Sequence, residues 1–271
     1  MDQYRVFGNP IAQSKSPQIH QWFAQQTGQA LNYQSELVEL TDFEQALAQF
    51  SQSGGKGLNI TVPFKEQAYS VCHQLSEYAR LAGAVNTISC LDGKYVGDNT
   101  DGIGLVTDLI NQQVEFSGKS ILLLGAGGAA KGVVLPLLEQ APQSLIIANR
   151  TLSKAQAIAD SVENYNNVYV CGFEQLKQSY DIVINATSAG LSKSKLPVSD
   201  IIFSEKSVCY DMIYGTGLTP FLQQAQQAGA VRLIDGLGML VEQAAESFRI
   251  WRGVKPETEA VKQKLKQLLS Q

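Results

Sequence analysis

Histidine is scarce in this chain. Only His20 and His73 occur among 271 residues, the first beside Trp22 and Phe23, the second directly after Cys72. Both sit in or near helix-like segments, which predicts structural roles, so any acid–base chemistry is expected from another residue type. Cysteine is nearly as sparse: Cys72, Cys90, Cys171 and Cys209 form no CxxC pair. That spacing argues against a metal centre or a disulfide framework and predicts free thiols in a reducing cytoplasm. No apolar run approaches the ~20 residues that span a bilayer. Met1-Asp2-Gln3-Tyr4-Arg5 lacks the basic flank and apolar core of a signal peptide, so a cytoplasmic location away from membranes is expected. With a net charge of −4, no basic surface points to nucleic acid.

What the chain does contain is ordinary globular composition, 44% hydrophobic and 17% charged, at a length that suits two domains. The stretch from Ser120 to Thr151 is the most specific. Ser120-Ile121-Leu122-Leu123-Leu124 has the composition of a buried parallel strand. Gly125-Ala126-Gly127-Gly128-Ala129-Ala130 follows at once, then a helical pattern from Ala129 to Glu139. Strand, glycine turn and helix in that order make the first half of a dinucleotide-binding unit, whose helix N-terminus offers free N–H groups to phosphates. The next apolar run, Leu145 to Ala148, ends in Asn149-Arg150-Thr151. An NAD site places a carboxylate at that tip to bind the ribose 2′-hydroxyl. This chain has a guanidinium there, which can fork onto a 2′-phosphate, and Lys154 adds a second cation. The pattern reads as NADP. The plainer alternative makes Arg150 a solvated surface residue and Thr151 a helix cap.

Strands are expected at Arg5–Gly8, Leu31–Glu36, Gly57–Val62, Thr87–Leu91 and Tyr95–Gly97, the last two around the turn Asp92-Gly93. Helices are expected at Pro17–Thr27, Thr41–Phe50, Phe64–Val71 and Ser76–Leu81. This alternation predicts an α/β domain with a mostly parallel sheet covered on both faces. Gly102 to Asn111 reads as a connecting helix. Beyond it, strands at Ser120–Leu124, Leu145–Ala148, Val168–Val170, Asp181–Asn185, Val208–Asp211 and Arg232–Ile234 suit a six-stranded doubly wound sheet, with Pro136 expected to kink the first crossover helix. The amphipathic segments Leu240–Trp251 and Glu257–Leu269 have no strands of their own and are expected to return to the first domain. The expected organisation is residues 1–101 with 238–271 as a substrate domain, residues 102–237 as a Rossmann domain, and a cleft between them.

Polar residues recur where strands of the first domain give way to helices: Ser14-Lys15-Ser16-Pro17, Asn59-Ile60-Thr61-Val62-Pro63-Phe64-Lys65, Asn86-Thr87 and Asp98-Asn99-Thr100-Asp101-Gly102. Ligands of open α/β sheets bind at such ends, and this residue set suits a small, polyhydroxylated, anionic molecule. Lys65 is the candidate acid–base group. It lies in the first turn of a helix begun by Pro63, where the dipole opposes its charged form and is expected to lower its pKa. Asp101 is the candidate carboxylate that orients it. Each residue also has a plainer reading. Ser16 could cap its helix, and Asp101 or Thr100 the next one. Lys65 could be solvated, and Asn59 and Asn86 could be turn residues.

Taken together these strings resemble the shikimate/quinate dehydrogenase family. Gly83-Ala84-Val85-Asn86-Thr87, Asn185-Ala186-Thr187-Ser188-Ala189-Gly190 and Asp235-Gly236-Leu237-Gly238-Met239-Leu240 extend the likeness over essentially the whole chain in collinear order. No functional motif departs from it. The resemblance implies NADPH-dependent, reversible reduction of 3-dehydroshikimate to shikimate in aromatic amino-acid biosynthesis, with Lys65 and Asp101 as the catalytic pair. It implies that Ser14 and Ser16 hold the substrate carboxylate. Thr61, Asn86, Asp101 and Gln243 bind its hydroxyls and ketone, and Asn59 and Tyr214 close the pocket. Met212, Gly236 and Glu77 are implied beside the nicotinamide. Gly125, Ala126, Gly127, Gly128 and Ala129, with Asn149, Arg150, Thr151 and Lys154, are implied on the adenosine phosphates. A quinate-using member that accepts NAD, a tetrahydrofolate dehydrogenase and a catalytically silent NADP- or shikimate-sensing protein are the alternatives. The folate enzyme leaves Ser14 and Ser16 unexplained, and a silent sensor is expected to lack Lys65 or Asp101. A monomer or homodimer is expected.

Overall fold

The computed structural model describes residues 1–187 and 195–269; Ser188, Ala189 and Gly190 therefore lie outside the described residues. The chain divides into two compact units, Met1–Gly104 together with Leu240–Leu268, and Leu105–Met239.

The first unit runs β1 (Asp2–Gly8), α1 (Ser16–Thr27), β2 (Leu31–Leu37), α2 (Phe43–Gln52), β3 (Gly55–Ile60), α3 (Lys65–Val71), β4 (Gln74–Leu75), α4 (Glu77–Ala82), β5 (Thr87–Leu91) and β6 (Lys94–Asp98), and α5 (Asp101–Asn111) begins in it. The strands form one six-stranded sheet in the order β2-β1-β3-β5-β6-β4. β1 is parallel to both neighbours and β4 to β6, whereas β3–β5 and β5–β6 are antiparallel. The sheet is mostly parallel as expected, with β5 the strand that runs against the others. The cause is local: Asp92 and Gly93 both take positive φ, 49° and 75°, the backbone of a tight hairpin turn that reverses β5 into β6. The two-residue strand β4 is too short for any periodicity to announce. Phe7, Phe43, Leu47, Leu58, Phe64 and Ile88 pack together on one side of the sheet.

The second unit holds β7 (Ser120–Leu124), α6 (Gly128–Leu138), β8 (Ser144–Ala148), α7 (Leu152–Ser161), β9 (Val168–Cys171), β10 (Ile182–Asn185), β11 (Val208–Asp211), α8 (Pro220–Gln227) and β12 (Arg232–Ile234). Its sheet is six-stranded in the order β12-β11-β10-β7-β8-β9, and every pair is parallel. Ile121 through Leu124 are fully buried, as a central parallel strand covered on both faces requires. The crossovers leave β7 toward β8 and β9 on one side and β10, β11 and β12 on the other. The topological switch point, where doubly wound sheets take their ligands, therefore lies at the end of β7. α6 continues past Pro136 to Leu138.

Two helices then return, α9 (Leu237–Arg252) and α10 (Glu259–Leu269), and Leu240–Leu268 belong to the first unit. Trp251 of α9 donates its indole N–H to the Ile88 carbonyl at 3.1 Å. It lies so close over β3 that a Cβ on Gly57 would stand 2.6 Å from the indole nitrogen. Glycine is what lets α9 approach the sheet. Among the described residues no helix is long and apolar enough to cross a membrane.

His20 of α1 is buried in this first core, stacked on Tyr33 with ring centroids 4.2 Å apart. Its ring nitrogens find no hydrogen bond of good geometry, and burial pushes its pKa down from 6.5 to about 3. A neutral imidazole in the folded state and a protonated one in the unfolded state make stability present above 6.5 and lost as pH falls toward 3. Acidification from about pH 7 to about pH 5 is expected to cost roughly 2 kcal/mol through His20 alone. Urea unfolding at both pH values checks this. His20→Phe, which keeps the ring stack, should show a shallower loss than the wild type, and equal losses would overturn the assignment.

Candidate active site

The chemistry-bearing residues of the first unit gather where β3, β5 and β6 end. β3 delivers Asn59 and Ile60, after which Thr61 to Phe64 turn the chain into α3. Lys65 is the first residue of that helix, and Phe64, which has no capping side chain, stands at its N-cap. β6 ends at Asp98, and Asn99-Thr100 lead into α5, whose first residue is Asp101. The Lys65 ammonium donates to Asp101 Oδ2 at 2.5 Å. Both side chains are half-buried, 30% and 15% exposed, so the pair is screened less than a surface ion pair yet remains reachable from solvent. Asn86 donates its carboxamide N–H to the other carboxylate oxygen, Asp101 Oδ1, at 2.8 Å. A cation and an amide therefore hold one carboxylate from two sides.

Asn86 is buried and fully engaged. Its Oδ1 accepts from the Thr100 amide at 2.9 Å and from the Thr87 hydroxyl at 2.8 Å, and its Nδ2 also reaches Thr100 Oγ1 at 3.0 Å. Gln243 of α9 comes near the same amide, with Oε1 3.4 Å from Asn86 Nδ2. That approach depends on Gly104, where a Cβ would sit 2.7 Å from the Gln243 backbone nitrogen. Asn59 is also buried, and its amide is taken up by protein partners. Oδ1 accepts from Tyr33 at 2.7 Å, and Nδ2 donates toward the Asn86 carbonyl, Thr87 and Ser247 at 3.0 to 3.2 Å. Burial pushes the Tyr33 phenol well above its usual pKa, opposed by the Ser16 hydroxyl bonded to it. Asp98 is pushed up by burial as well, while its carboxylate ties Ser76 at 2.6 Å to the Asn99 amide at 2.7 Å.

The plainer readings of several residues fail on this geometry. Ser16 is the first residue of α1 and not its cap; Lys15 takes that position, and no side chain caps the helix. Ser16 instead offers its amide toward Ser14 Oγ at 3.4 Å, which puts both hydroxyls at the start of α1. The Asp101 amide is taken by Asn99 Oδ1 at 3.1 Å, which leaves the Asp101 carboxylate for Lys65. Asn86 and Asn59 are network residues, and Lys65 is paired. Thr61 is half-buried in the turn after β3, its amide bonded to the Phe7 carbonyl at 2.9 Å. Residues that the motifs alone do not single out are Tyr33, Thr87 and Ser247. Thr87 stands inside two of the motifs, and Ser247 lies one helical turn after Gln243. Tyr33 carries no local signal.

In the second unit, β7 ends in the glycine turn at the switch point. Gly125 has φ +109°, and a Cβ there would press on Ala186 and Thr187 at 3.1 to 3.2 Å. Gly127 and Gly128 face open space, with no atom within 4 Å of where a Cβ would stand. Together with exposed Ala129 they leave a bare backbone shelf at the start of α6, next to buried Ala126. At the tip of β8, Asn149 donates to the Thr151 carbonyl at 2.8 Å, and Arg150, Thr151 and Lys154 are exposed. Thr151 occupies the N-cap position of α7 but makes no capping bond with its side chain. Bare amides, two cations and no carboxylate at the strand tip fit a dinucleotide that carries an additional phosphate. Beyond β11, the buried Asp211 carboxylate binds Asn185 Nδ2 at 3.0 Å and the Ile213 amide at 3.2 Å, which shapes the turn carrying Met212 and Tyr214. Burial pushes Tyr214 up, and Asp235 adds to the shift. Gly236 lies against Met212, where a Cβ would be 2.3 Å from the Met212 carbonyl oxygen. Tyr214 belongs to the second unit and Glu77, at the start of α4, to the first. Among the described residues no His, Cys, Asp and Glu cluster could hold a metal ion.

Comparison with known proteins agrees with this layout. Residues 6–88 match the family described as the shikimate dehydrogenase substrate binding domain. Residues 108–197 match shikimate/quinate 5-dehydrogenase, and residues 236–266 the shikimate 5′-dehydrogenase C-terminal domain. The chain is 54% identical to the NADP(+) shikimate dehydrogenase of Vibrio cholerae over 270 residues, 99% of this chain and 97% of that one. It is similar to the crystal structure of an enzyme from Pseudomonas putida, with a TM-score of 0.94, 45% identity and 98% of each chain covered. It is also similar to Thermus thermophilus shikimate 5-dehydrogenase, solved with NADP(H) and shikimate, with a TM-score of 0.89, 29% identity and 99% and 100% of the two chains covered. With relatives at this identity over nearly its whole length, and the ion pair and glycine turn in place, the chain belongs to the shikimate dehydrogenase family.

Proposed function

We propose that this chain interconverts 3-dehydroshikimate and shikimate with NADPH and NADP⁺, and that Lys65 and Asp101 carry the proton. The observation that supports this most strongly is the Lys65–Asp101 pair at 2.5 Å, with Asn86 on the second carboxylate oxygen. Ser14 and Ser16, brought together at the start of α1, bind the substrate carboxylate. Thr61, Asn86, Asp101 and Gln243 bind its hydroxyls and ketone, and Tyr214 and Asn59 border the pocket. Gly125, Ala126, Gly127, Gly128 and Ala129 receive the pyrophosphate, Asn149, Arg150, Thr151 and Lys154 the 2′-phosphate, and Met212, Gly236 and Glu77 the nicotinamide end. Four free thiols and a biosynthetic reaction suit a cytoplasmic enzyme, working as a monomer or homodimer.

Bound NADPH supplies the hydride that reduces the ketone carbon. The protein's task is the proton. As negative charge develops on the ketone oxygen, Lys65 Nζ gives it a proton; in the oxidative direction the neutral amine takes that proton back. Asp101 fixes the ammonium in line with the oxygen and stabilises its charge, while Asn86 keeps the carboxylate from rotating. Positioning of this kind supplies much of a rate enhancement without any group having to move.

Lys65→Ala should lower kcat by about 10²–10⁴-fold with only a few-fold change in the KM for shikimate; turnover at the wild-type rate would refute the assignment. Initial rates with shikimate or quinate, each with NADP⁺ or NAD⁺, should favour shikimate with NADP⁺. Comparable rates with quinate would move the chain to the broader quinate/shikimate class. Arg150→Gln should raise the KM for NADP⁺ by about tenfold or more, the loss of one charged hydrogen bond, and leave the KM for NAD⁺ unchanged. A parallel rise for both cofactors would place Arg150 away from the 2′-phosphate.

A further inference from the structure

We infer that Thr87, backed by Tyr33 and Ser247, is a positioning residue that locks the Asn86 carboxamide with its NH₂ toward Asp101. This deepens the proposed reaction and rests on it. The three residues are buried, and none is placed in contact with substrate or cofactor.

The amide orientations in the cluster follow from groups that cannot reverse, and only the hydroxyl contacts of Ser247 with Thr87 at 2.8 Å and with Thr100 at 3.3 Å can run either way. The Asn86 backbone carbonyl can only accept, and it lies 3.1 Å from the Asn59 amide nitrogen. Asn59 Nδ2 therefore faces that carbonyl, and Asn59 Oδ1 faces Tyr33, whose hydroxyl must donate at 2.7 Å. The other Asn59 N–H is directed at Thr87 Oγ1, 3.2 Å away, and Ser247 Oγ, 3.0 Å away. Ser247 has two outlets for its own proton, the Gln243 carbonyl at 3.0 Å and Thr87 Oγ1 at 2.8 Å, and either one leaves the Thr87 proton free for Asn86. Thr87 has one proton, and because Asn86 Oδ1 can only accept, their 2.8 Å contact is a hydrogen bond donated by Thr87. At the far end the Thr100 amide, a fixed donor, reaches the same oxygen at 2.9 Å. Both lone pairs of Asn86 Oδ1 are then filled, so the carboxamide can turn neither way, and its NH₂ stays on Asp101 Oδ1 at 2.8 Å.

Without the Thr87 hydroxyl, Asn86 Oδ1 keeps only the Thr100 amide and the more distant Thr100 hydroxyl at 3.3 Å, and the Asn59 N–H loses one of its two hydroxyl acceptors. The Asn86 amide can then swing about its remaining Thr100 bond, and the carboxylate that aligns Lys65 loses its second support. Asn86 is also a proposed substrate contact, but its backbone stays anchored to Ile60 and Asp98, so the loss is expected mainly in kcat with a smaller rise in KM.

Two substitutions at one site separate this from packing. Thr87→Val keeps the volume and removes the hydroxyl, whereas Thr87→Ser keeps the hydroxyl and removes a methyl. The relay predicts that Thr87→Val loses roughly tenfold in kcat, with the KM for shikimate changed less than about threefold and the KM for NADP⁺ unmoved. Thr87→Ser should stay within about twofold of wild type. A packing role predicts the reverse order, and Thr87→Val with wild-type turnover overturns the inference. Should Thr87→Val not fold, Tyr33→Phe decides: its ring keeps the stack on His20, the relay predicts a several-fold loss of kcat, and full turnover overturns it. A wild-type chain inactive on shikimate with NADP⁺ would instead refute the functional reading itself.

Discussion

The buried carboxamide of Asn86 is the constraint on which the first unit's site depends. It sits one residue before β5, and its backbone and side chain bind four different segments. Its carbonyl receives the Ile60 amide at 2.8 Å, and its own amide reaches the Asp98 carbonyl at 3.0 Å. Its side chain joins Thr100 and Asp101 and comes near Gln243. An unpaired amide in such surroundings would cost about 1–3 kcal/mol, so these segments must arrive in register or the core is penalised. The same bonds that make the register obligatory leave one carboxylate, Asp101, aimed at Lys65. Folding specificity and the alignment of Asp101 with Lys65 are therefore one set of contacts in this unit.

The second unit solves a different problem. A phosphate-bearing ligand needs backbone amides that no side chain obstructs, and the unit supplies them by omission. Gly125 turns the chain with a φ that other residues resist, and Gly127 and Gly128 add nothing in front of the helix start. Beyond this shelf α6 turns apolar and buried, at Ala130 and from Gly132 to Leu138, with Lys131 exposed between them. The charge follows the same economy. Arg150 and Lys154 are exposed beside a strand tip without a carboxylate, so the charge at this tip is positive where an NAD site would carry an acid.

Much of this is legible in the sequence, for reasons that differ from element to element. The run Ser120–Leu124 declares itself because a strand buried on both faces has no room for polar residues. The glycine turn and Arg150 follow it within the distance over which one βαβ unit repeats. Asp92-Gly93 announces the β5–β6 hairpin, but its consequence, one antiparallel strand within a mostly parallel sheet, does not follow from the alternation of strands and helices. Lys65 and Asp101 can be paired from the sequence only as a choice, because 36 residues separate them and no local period links them. Ser16 misleads for a similar reason. Serine before proline is a good cap on local rules, yet the helix starts one residue earlier and its hydroxyl turns to Tyr33.

Tyr33, Thr87 and Ser247 show where sequence reasoning stops. Thr87 to Ser247 spans 160 residues and Asn59 to Ser247 spans 188, so the contact depends on α9 returning to a sheet built by the first hundred residues. That return is governed by glycines, Gly57 under Trp251 and Gly104 against Gln243. A glycine in a strand or helix reads locally as a weakness, since it adds backbone entropy and no packing surface. Here the missing side chains let a helix come close enough for a serine hydroxyl to enter the polar cluster. The residues that look least informative in the one-dimensional chain thus decide whether the Lys65–Asp101 pair is supported from behind.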